Sequence, residues 1–220
     1  MPARTAADRG REVRLQLLSA AAELIAELGW NAVSTRILAE RAGVTPGLVH
    51  YHFPSLQALL RDAALGMISD LLSATELIFE DARTLDAGVD LMLGSLDAYT
   101  GRDLTPLLFT ETYLAATRDE TLRIELIALV EEFRRKLAGW LGEHGANAPH
   151  DTASVLAAAI NGVMLHRALN PELTSSAIAP VLRRLVFPGT ATPFTAAPRS
   201  SCVTHSSTAR PAATALERGP

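Results

Sequence analysis

The sequence predicts an all-α protein with a small N-terminal domain and a larger C-terminal one. Ala and Leu dominate a chain of 220 residues that is 48% hydrophobic and only 5% aromatic, a composition that favours helices. Apolar residues recur every three or four positions, and glycine or proline separates the periodic segments. These breaks divide the chain into a flexible arm (1–10), a three-helix unit (11–54), a helical remainder (55–187) and a disordered tail (188–220).

The first helix is predicted to run from about Arg11 to Leu28. Gly29 ends it, since glycine readily adopts the backbone conformations that follow a helix C-terminus. The apolar face of this helix repeats at the helical period, at Val13, Leu17, Ala21 and Leu24.

Two shorter helices follow, and a glycine-containing turn separates them. Ser34 or Thr35 is placed to cap the first of them, which ends at Gly43. Thr45 is placed to cap the second, with Pro46 at its first position. Proline suits that position because it lacks an N–H that would be left unpaired there.

A long fourth helix is predicted from about Leu56 to Glu80. Pro54 ends the third helix, and Ser55 caps the fourth. The residues spaced to pack the second and third helices together against the first are Ile37, Leu38, Val44 and Val49.

The segment GVTPGLVHYHF, residues 43–53, allows two interpretations. The first interpretation is a helix-turn-helix, a motif that places its second helix in the major groove of DNA. Thr45, His50 and Tyr51 would then offer hydrogen-bonding groups to the DNA. The alternative is a metal site on His50 and His52. Two residues apart on a helix, these side chains point about 200° apart, and no cysteine or HExxH pattern lies nearby. We therefore predict DNA contact and no metal.

Residues 29–60, GWNAVSTRILAERAGVTPGLVHYHFPSLQALL, resemble the DNA-binding signature of the TetR family of transcriptional regulators. The positions that match are Ala39, Ala42, Gly43, Val44, Thr45, Gly47, Val49, His50, His52, Phe53, Ser55 and Leu59. The resemblance implies an N-terminal three-helix DNA-binding domain and a C-terminal helical ligand-binding and dimerisation domain. The DNA-contacting residues that it implies are Arg36, Thr45, Pro46, Gly47, His50 and Tyr51.

One position departs from the family pattern. The family usually carries lysine after the serine that opens the fourth helix, and this sequence has Leu56 followed by the uncharged Gln57. One contact to the DNA backbone is therefore expected to be missing. Arg36, Tyr51 and the arginines of the N-terminal arm would then contribute more to the affinity.

Five further helices are expected, at about 85–99, 106–117, 119–143, 152–168 and 175–186. Their large and polar side chains could be ordinary core residues or could together line an apolar ligand cavity. The ligand-binding candidates are Met92, Tyr99, Phe109, Glu111, Tyr113, Phe133, Trp140 and Asn161. The last two helices combine small and apolar residues, which favours a four-helix interface across a two-fold axis. The candidates there are Leu156, Ala158, Gly162, Leu182 and Leu185.

The charge distribution and the motifs limit the classes of function that the sequence allows. Residues 1–53 carry a net +1, residues 54–187 a net −7 and residues 188–220 a net +2. The N-terminal segment is therefore the only part expected to fold that suits a polyanion. The single cysteine, Cys202, favours a reducing cytoplasm. No apolar run reaches the roughly 18 residues of a membrane span, and no catalytic motif or cofactor-binding loop is present.

The sequence thus predicts a sequence-specific DNA-binding regulator rather than an enzyme, with no cofactor. Its expected partners are double-stranded operator DNA, an unknown small-molecule effector and a second copy of itself, and it is expected to act as a ligand-responsive repressor. A TetR-type activator remains open. So does a helical small-molecule-binding or enzymatic protein in which the helix-turn-helix is incidental.

Overall fold

The computed structural model describes residues 5–100 and 102–187. Within these residues the secondary structure is entirely helical, which confirms the predicted all-α class. The helices are α1 (Ala6–Leu28), α2 (Thr35–Arg41), α3 (Pro46–His52), α4 (Leu56–Asp81), α5 (Leu85–Leu96), α6 (Leu104–Ala116), α7 (Glu120–Glu143), α8 (Pro149–His166) and α9 (Ser175–Val186), with a 3₁₀ turn at Trp30–Ala32.

Helix α1 begins at Ala6, five residues before the predicted Arg11. The cause is a reciprocal cap: the backbone N–H of Asp8 donates to Thr5 Oγ1 at 3.1 Å, and that of Thr5 donates to Asp8 Oδ2 at 3.2 Å. Such a capping box satisfies two backbone donors that a helix start otherwise leaves unpaired. Residues 6–10 of the expected flexible arm are therefore helical. Residues 1–4 and the expected tail at 188–220 lie outside the described residues.

Helix α8 also begins earlier than expected, at Pro149 instead of about Thr152. Proline occupies the first helical turn, where its missing N–H costs nothing. The side chain of Thr152, at the start of the predicted range, donates to the carbonyl of Asn147 at 2.9 Å. Serines 34 and 55 do cap α2 and α4 as predicted, since each side chain accepts a backbone N–H three residues later.

The buried apolar residues form two clusters, and α4 belongs to both. The N-terminal core joins α1–α3 with the first part of α4 and with α6 and α7, and it includes Leu17, Ile25, Leu38, Val49, Leu60 and Leu122. The C-terminal core joins the end of α4 with α5, α7, α8 and α9, and it includes Phe79, Met92, Phe133, Leu137, Leu156 and Leu182. Leu72 of α4 contacts both clusters.

A buried arginine holds three helix ends together in the C-terminal core. Arg167, at the end of α8, donates through Nε to the Leu173 carbonyl at 2.7 Å and through Nη1 to the carbonyls of Leu96 and Tyr99. Its Nη2 contacts Asp97 Oδ1 at 3.2 Å and Ser175 Oγ at 3.1 Å. Because the guanidinium carries five donors in one plane, it can bind the carbonyls at the end of α5, the Leu173 carbonyl before α9 and the Ser175 hydroxyl at once.

The hydroxyl of Ser175 also donates to Asp97, and this bond, followed by the Arg167 contact, lowers the pKa of Asp97 from 3.8. The lowered pKa means that the interaction stabilises the fold above the unfolded pKa. This stabilisation is lost as the pH falls through the lowered value.

Replacing Arg167 with Met should lower the free energy of unfolding by about 3 kcal/mol, because it leaves several buried carbonyls without a donor. Urea denaturation followed by circular dichroism measures the change. Arg184→Met is the matched control, since Arg184 lies exposed on α9. Equal losses in the two variants would contradict the structural role of Arg167.

Candidate DNA interface and ligand cavity

The turn between α2 and α3 is set by Gly43, which has a φ of 67°. This left-handed conformation is costly for residues with a side chain. Three backbone N–H groups at this turn donate to carbonyl oxygens of α2: Ala42 to Leu38, Gly43 to Glu40 and Val44 to Ala39. The sharp glycine turn predicted from the sequence is therefore present.

Helices α2 and α3 pack into the N-terminal core through one face only. Leu38 and Val49 are buried and Val44 is partly buried, as the spacing predicts, and Ala39 and Phe53 are buried with them. Ile37, which the spacing also placed in this packing, is instead exposed. It precedes the buried Leu38 by one residue, which rotates it by about 100° around the helix and away from the core.

The six residues predicted to contact DNA are all exposed, on the opposite side from the core. They are Arg36, Thr45, Pro46, Gly47, His50 and Tyr51, and Tyr51 is the most exposed large side chain of α3, at 81%. Thr45 precedes α3, but its side chain makes no capping hydrogen bond there. The hydroxyl is therefore not engaged by the helix that it begins.

Gly47 faces open space. A Cβ built on it would come no closer than 4.0 Å to its nearest neighbour, Thr45 Oγ1. The packing of this chain thus does not require glycine at that position. His52 differs from His50, since it is half-buried and lies edge-on to the Tyr51 ring with a centroid distance of 5.1 Å.

Ion pairs connect α1 to α2 and to α4. Arg41, in the last turn of α2, contacts Glu27 at 2.6 Å and Glu23 at 3.3 Å, both on α1. The bond from Arg41 lowers the pKa of Glu27. Arg14 contacts Asp62 of α4 at 2.9 Å and lies 4.7 Å from the centre of the Phe53 ring. Both arginines are exposed, so these ion pairs connect the helices but contribute little to stability.

Trp30 connects the N-terminal helices α1–α3 to α6. Its backbone N–H donates to Glu111 Oε2 at 3.0 Å, and its indole Nε1 donates to Gln57 Oε1, in the first turn of α4, at 3.0 Å. Gly29 has a φ of 86°, and a Cβ placed there would lie 3.2 Å from Glu111 Oε2. Glu111, a predicted ligand-binding residue, is thus engaged at the α1–α2 connection.

A cavity of about 610 Å³ lies among α4, α5, α6, α7 and α8. Six of the predicted ligand-binding residues line it: Met92, Tyr99, Phe109, Tyr113, Phe133 and Asn161. Its lining is predominantly apolar, which is typical of small-molecule sites. The hydroxyls of Thr75 and Ser95 donate to carbonyls of their own helices, Leu71 and Met92. The Asn161 amide has no hydrogen-bond partner among the described residues.

Glu111 and Trp140 do not line the cavity. Trp140 packs in the C-terminal core, with its ring 5.4 Å from Phe79 and 4.6 Å from His144. A Cβ on Gly88 would lie 2.3 Å from the Trp140 ring, so α5 can approach α7 only through a glycine there. Periodicity could not distinguish a core tryptophan from a cavity one, because both lie on an inward face.

The prediction from the sequence did not include the residues that α4 contributes to the cavity wall. Leu71, Thr75 and Ile78 line the cavity at helical spacing. Their three- and four-residue spacing was the available signal, and it equally suits ordinary core packing. The ion pair of Glu131 with Arg134, also on the wall, was missed because charged residues three apart usually mark a solvated helix face.

Two of the five predicted interface residues are buried within the chain itself. Leu156 and Leu182 belong to the C-terminal core, so they cannot present their side chains to a second copy. Leu185 and Ala158 are exposed, and Gly162 is partly exposed. The exposed face of α8, α9 and their connection includes Val155, Ala158, Leu169, Val181 and Leu185. Ala158 and Gly162 also border the cavity.

In the described part of the chain, no group of three or more His, Cys, Asp or Glu residues could hold a metal ion. In the same residues, no helix is long and apolar enough to cross a membrane.

A helix-turn-helix with an exposed second helix, followed by a helical domain with an apolar cavity, defines the class of helical DNA-binding regulators. Two family models match the chain. Residues 17–63 match the model described as bacterial regulatory proteins, tetR family, and residues 83–188 match the tetracyclin repressor-like C-terminal domain.

Similar proteins agree with these matches. The HTH-type transcriptional repressor KstR2 of Rhodococcus jostii (strain RHA1) is 32% identical over 39% of this chain and 44% of its own length. The HTH-type transcriptional regulator BetI of Vibrio vulnificus (strain YJ016) is 26% identical over 72% of this chain and 82% of its own. The crystal structure of the transcriptional regulator SCO7518 from Streptomyces coelicolor A3(2) has 30% identity, a TM-score of 0.63 and coverage of 80% of this chain and 98% of that one.

The chain therefore belongs to the tetR family of bacterial regulatory proteins, and it is a DNA-binding transcriptional regulator.

Gly29→Ala should destabilise the fold by about 1–3 kcal/mol, because the substitution places a side chain at positive φ and crowds Glu111. Gly66→Ala is the matched control. Gly66 lies exposed inside α4 with nothing within 4 Å of an added Cβ, so alanine should leave stability unchanged or raise it by about 0.5–1 kcal/mol. Urea unfolding of both variants tests the pair. Unchanged stability of Gly29→Ala would show that the α1–α2 connection tolerates a different backbone.

Proposed function

We propose that the protein is a homodimeric repressor that binds double-stranded operator DNA through α3 and is released by a small-molecule effector. The observation that carries the proposal is that α3 and its N-cap have one buried side and one exposed polar side. Val49 is buried in the N-terminal core, while Thr45, Gly47, His50 and Tyr51 are all exposed. Because its target is DNA, the protein would act in the cytoplasm.

The contacts to DNA follow from the exposed side of the helix-turn-helix. The Tyr51 and Thr45 hydroxyls and the Arg36 guanidinium can donate to phosphate oxygens, and His50 offers a further polar group. Gly47 leaves room for the DNA backbone or a base edge to approach α3 closely. Leu56 is half-buried against the N-terminal core, so the start of α4 offers no lysine to a phosphate.

The proposed dimer forms through the exposed face of α8 and α9. Val155, Leu169, Val181 and Leu185 are large apolar side chains that α8, α9 and their connection leave exposed, and exposed apolar patches mark interaction surfaces. A two-fold pairing of α8 and α9 would give the four-helix bundle expected from the sequence. It would also border the cavity, because Ala158 and Gly162 belong to both surfaces.

The proposed effector acts through two helices that line the cavity and reach the DNA-binding domain. Helix α4 carries cavity residues at Leu71, Thr75 and Ile78 and begins beside α3. Helix α6 carries Phe109 and Tyr113 on the cavity side and Glu111 on the Trp30 side. A ligand that moves either helix would change the separation of the two α3 helices, which DNA requires at about 34–36 Å.

An activator of the same family would share all of these features, so the direction of regulation depends on the promoter. An enzymatic role has no specific observation in its favour. The decisive measurement for the proposed function is an electrophoretic mobility assay with the DNA that flanks its own gene.

Tyr51→Ala should weaken binding to that DNA roughly tenfold or more, because one hydrogen bond to a charged phosphate contributes about 1.5–3 kcal/mol. Fluorescence anisotropy at several salt concentrations measures the affinity. The affinity of the unmodified protein should also fall steeply with salt, since counterions are released on binding.

The control is Ile124→Ala, because Ile124 is a large exposed side chain on α7, outside both the helix-turn-helix and the cavity. It should leave the affinity for DNA unchanged. Equal effects of the two variants, or affinity independent of salt, would contradict the proposed interface.

Leu185→Arg should convert the dimer to monomers, since it places a charge on the proposed α8–α9 interface. Analytical ultracentrifugation measures the mass. Ile124→Arg introduces the same charge at an exposed position of α7 and should leave the dimer intact. A dimer that survives Leu185→Arg would place the interface elsewhere.

A further inference from the structure

A second, more polar cleft adjoins the apolar cavity, and two residues line both. The cleft has a volume of about 500 Å³ and lies between α7 and the beginning of α8. Its lining residues are Ala128, Glu131, Glu132, Arg134, Arg135, His150 and Ser154. Glu131 and Arg134 also line the cavity, so this pair of side chains separates the two spaces.

The separating ion pair is weak. Arg134 Nη1 contacts Glu131 Oε1 at 2.7 Å, and the two side chains are 34% and 60% exposed. Ion pairs this accessible to water contribute little to stability. The Nε of Arg134 is covered and has no hydrogen-bond partner among the described residues, so a single contact holds the guanidinium. The pair can therefore open at little cost and join the cavity to the cleft.

The two spaces differ in chemistry. The cavity offers mainly Leu, Ile, Val, Met, Ala and aromatic side chains. The cleft offers charges, and its acidic groups are already paired: Glu131 with Arg134, and Glu132 with Lys136 at 3.3 Å.

Two cationic or protonatable groups of the cleft remain. Arg135 is exposed, and neither its guanidinium nor the His150 ring has an acidic partner among the described residues. The hydroxyl of Ser154 donates to the backbone carbonyl of His150 and not to its ring. Lys136, the partner of Glu132, also contacts Glu76 at 2.8 Å. Arg135 is therefore the charged side chain of the cleft without an ion-pair partner among the described residues, and its guanidinium suits an anionic group.

We propose that the effector is an anionic amphiphile whose apolar chain occupies the cavity and whose head group binds Arg135 and His150 in the cleft. This inference deepens the proposed effector function and rests on it. A carboxylate and a phosphate share the required chemistry, since both accept hydrogen bonds from guanidinium in pairs. The Glu131–Arg134 pair is the position at which the chain passes from one space to the other.

The test uses four probes with the same twelve-carbon chain: dodecanoate, dodecyl phosphate, dodecanol and dodecyltrimethylammonium. Each is titrated below its critical micelle concentration into the full-length protein, and isothermal titration calorimetry measures its affinity. We expect at least one anion to bind tenfold or more tighter than the cation, and dodecanol to lie between them. The preferred anion then distinguishes a carboxylate from a phosphate effector. Dodecanol should displace the bound anion, because both chains occupy the same cavity.

Arg135→Gln locates the head group. It should lower the affinity for the preferred anion at least fivefold and leave dodecanol within twofold. Arg118→Gln is the matched control, since Arg118 is an exposed arginine outside both spaces, and it should change neither affinity. Shortening dodecanoate to octanoate should weaken binding by about fourfold for each methylene removed from the cavity.

Several results would overturn the proposal: no binding of any probe, equal binding of anions and cation, an affinity independent of chain length, or equal effects of the two arginine variants. None of these results depends on DNA binding, because the mobility assay is carried out without any probe. If the protein shifts its operator but fails these titrations, the proposed regulatory function stands and only the proposed effector class is contradicted.

Discussion

The whole structure depends on α4 being buried at both of its ends. Its first part packs in the N-terminal core through Leu59 and Leu60, and its end packs in the C-terminal core through Phe79. Between them, Leu71, Thr75 and Ile78 face the cavity. Because protein interiors are close-packed, such a helix cannot shift at the cavity without adjusting its packing beside α3. The long helix is thus a mechanical link as well as a connection along the chain.

The Trp30 hydrogen bonds provide a second link that does not follow the chain. Glu111 of α6 receives the Trp30 N–H, and Gln57 of α4 receives its indole N–H. Two of the helices that line the cavity, α4 and α6, therefore meet at one buried tryptophan in the connection between α1 and α2. The requirement for glycine at position 29 has the same origin, since any side chain there would crowd the Glu111 carboxylate. Coupling between ligand and DNA would be reciprocal along either link.

The cavity combines an apolar lining with a polar edge. Its lining is mainly apolar, and the exposed Glu131–Arg134 pair lies on its wall. An apolar interior with a polar edge selects amphipathic molecules, because burial favours the chain and the edge keeps a charged group hydrated or paired. This edge lies on α7, and the cleft beside it reaches the beginning of α8.

The sequence by itself determined the class of fold, most helix ends, and the exposed residues of α3. These depend on local physics: the helical period, the caps at Ser34 and Ser55, and the glycine turn at Gly43. Tertiary structure decided what periodicity cannot encode, which is the partner of each inward face. It placed Glu111 against Trp30, Trp140 against Gly88, and Leu156 and Leu182 in the core of their own chain. A helical pattern shows that a face is buried, but only the packing of distant helices shows whether it meets core, cavity or a second copy.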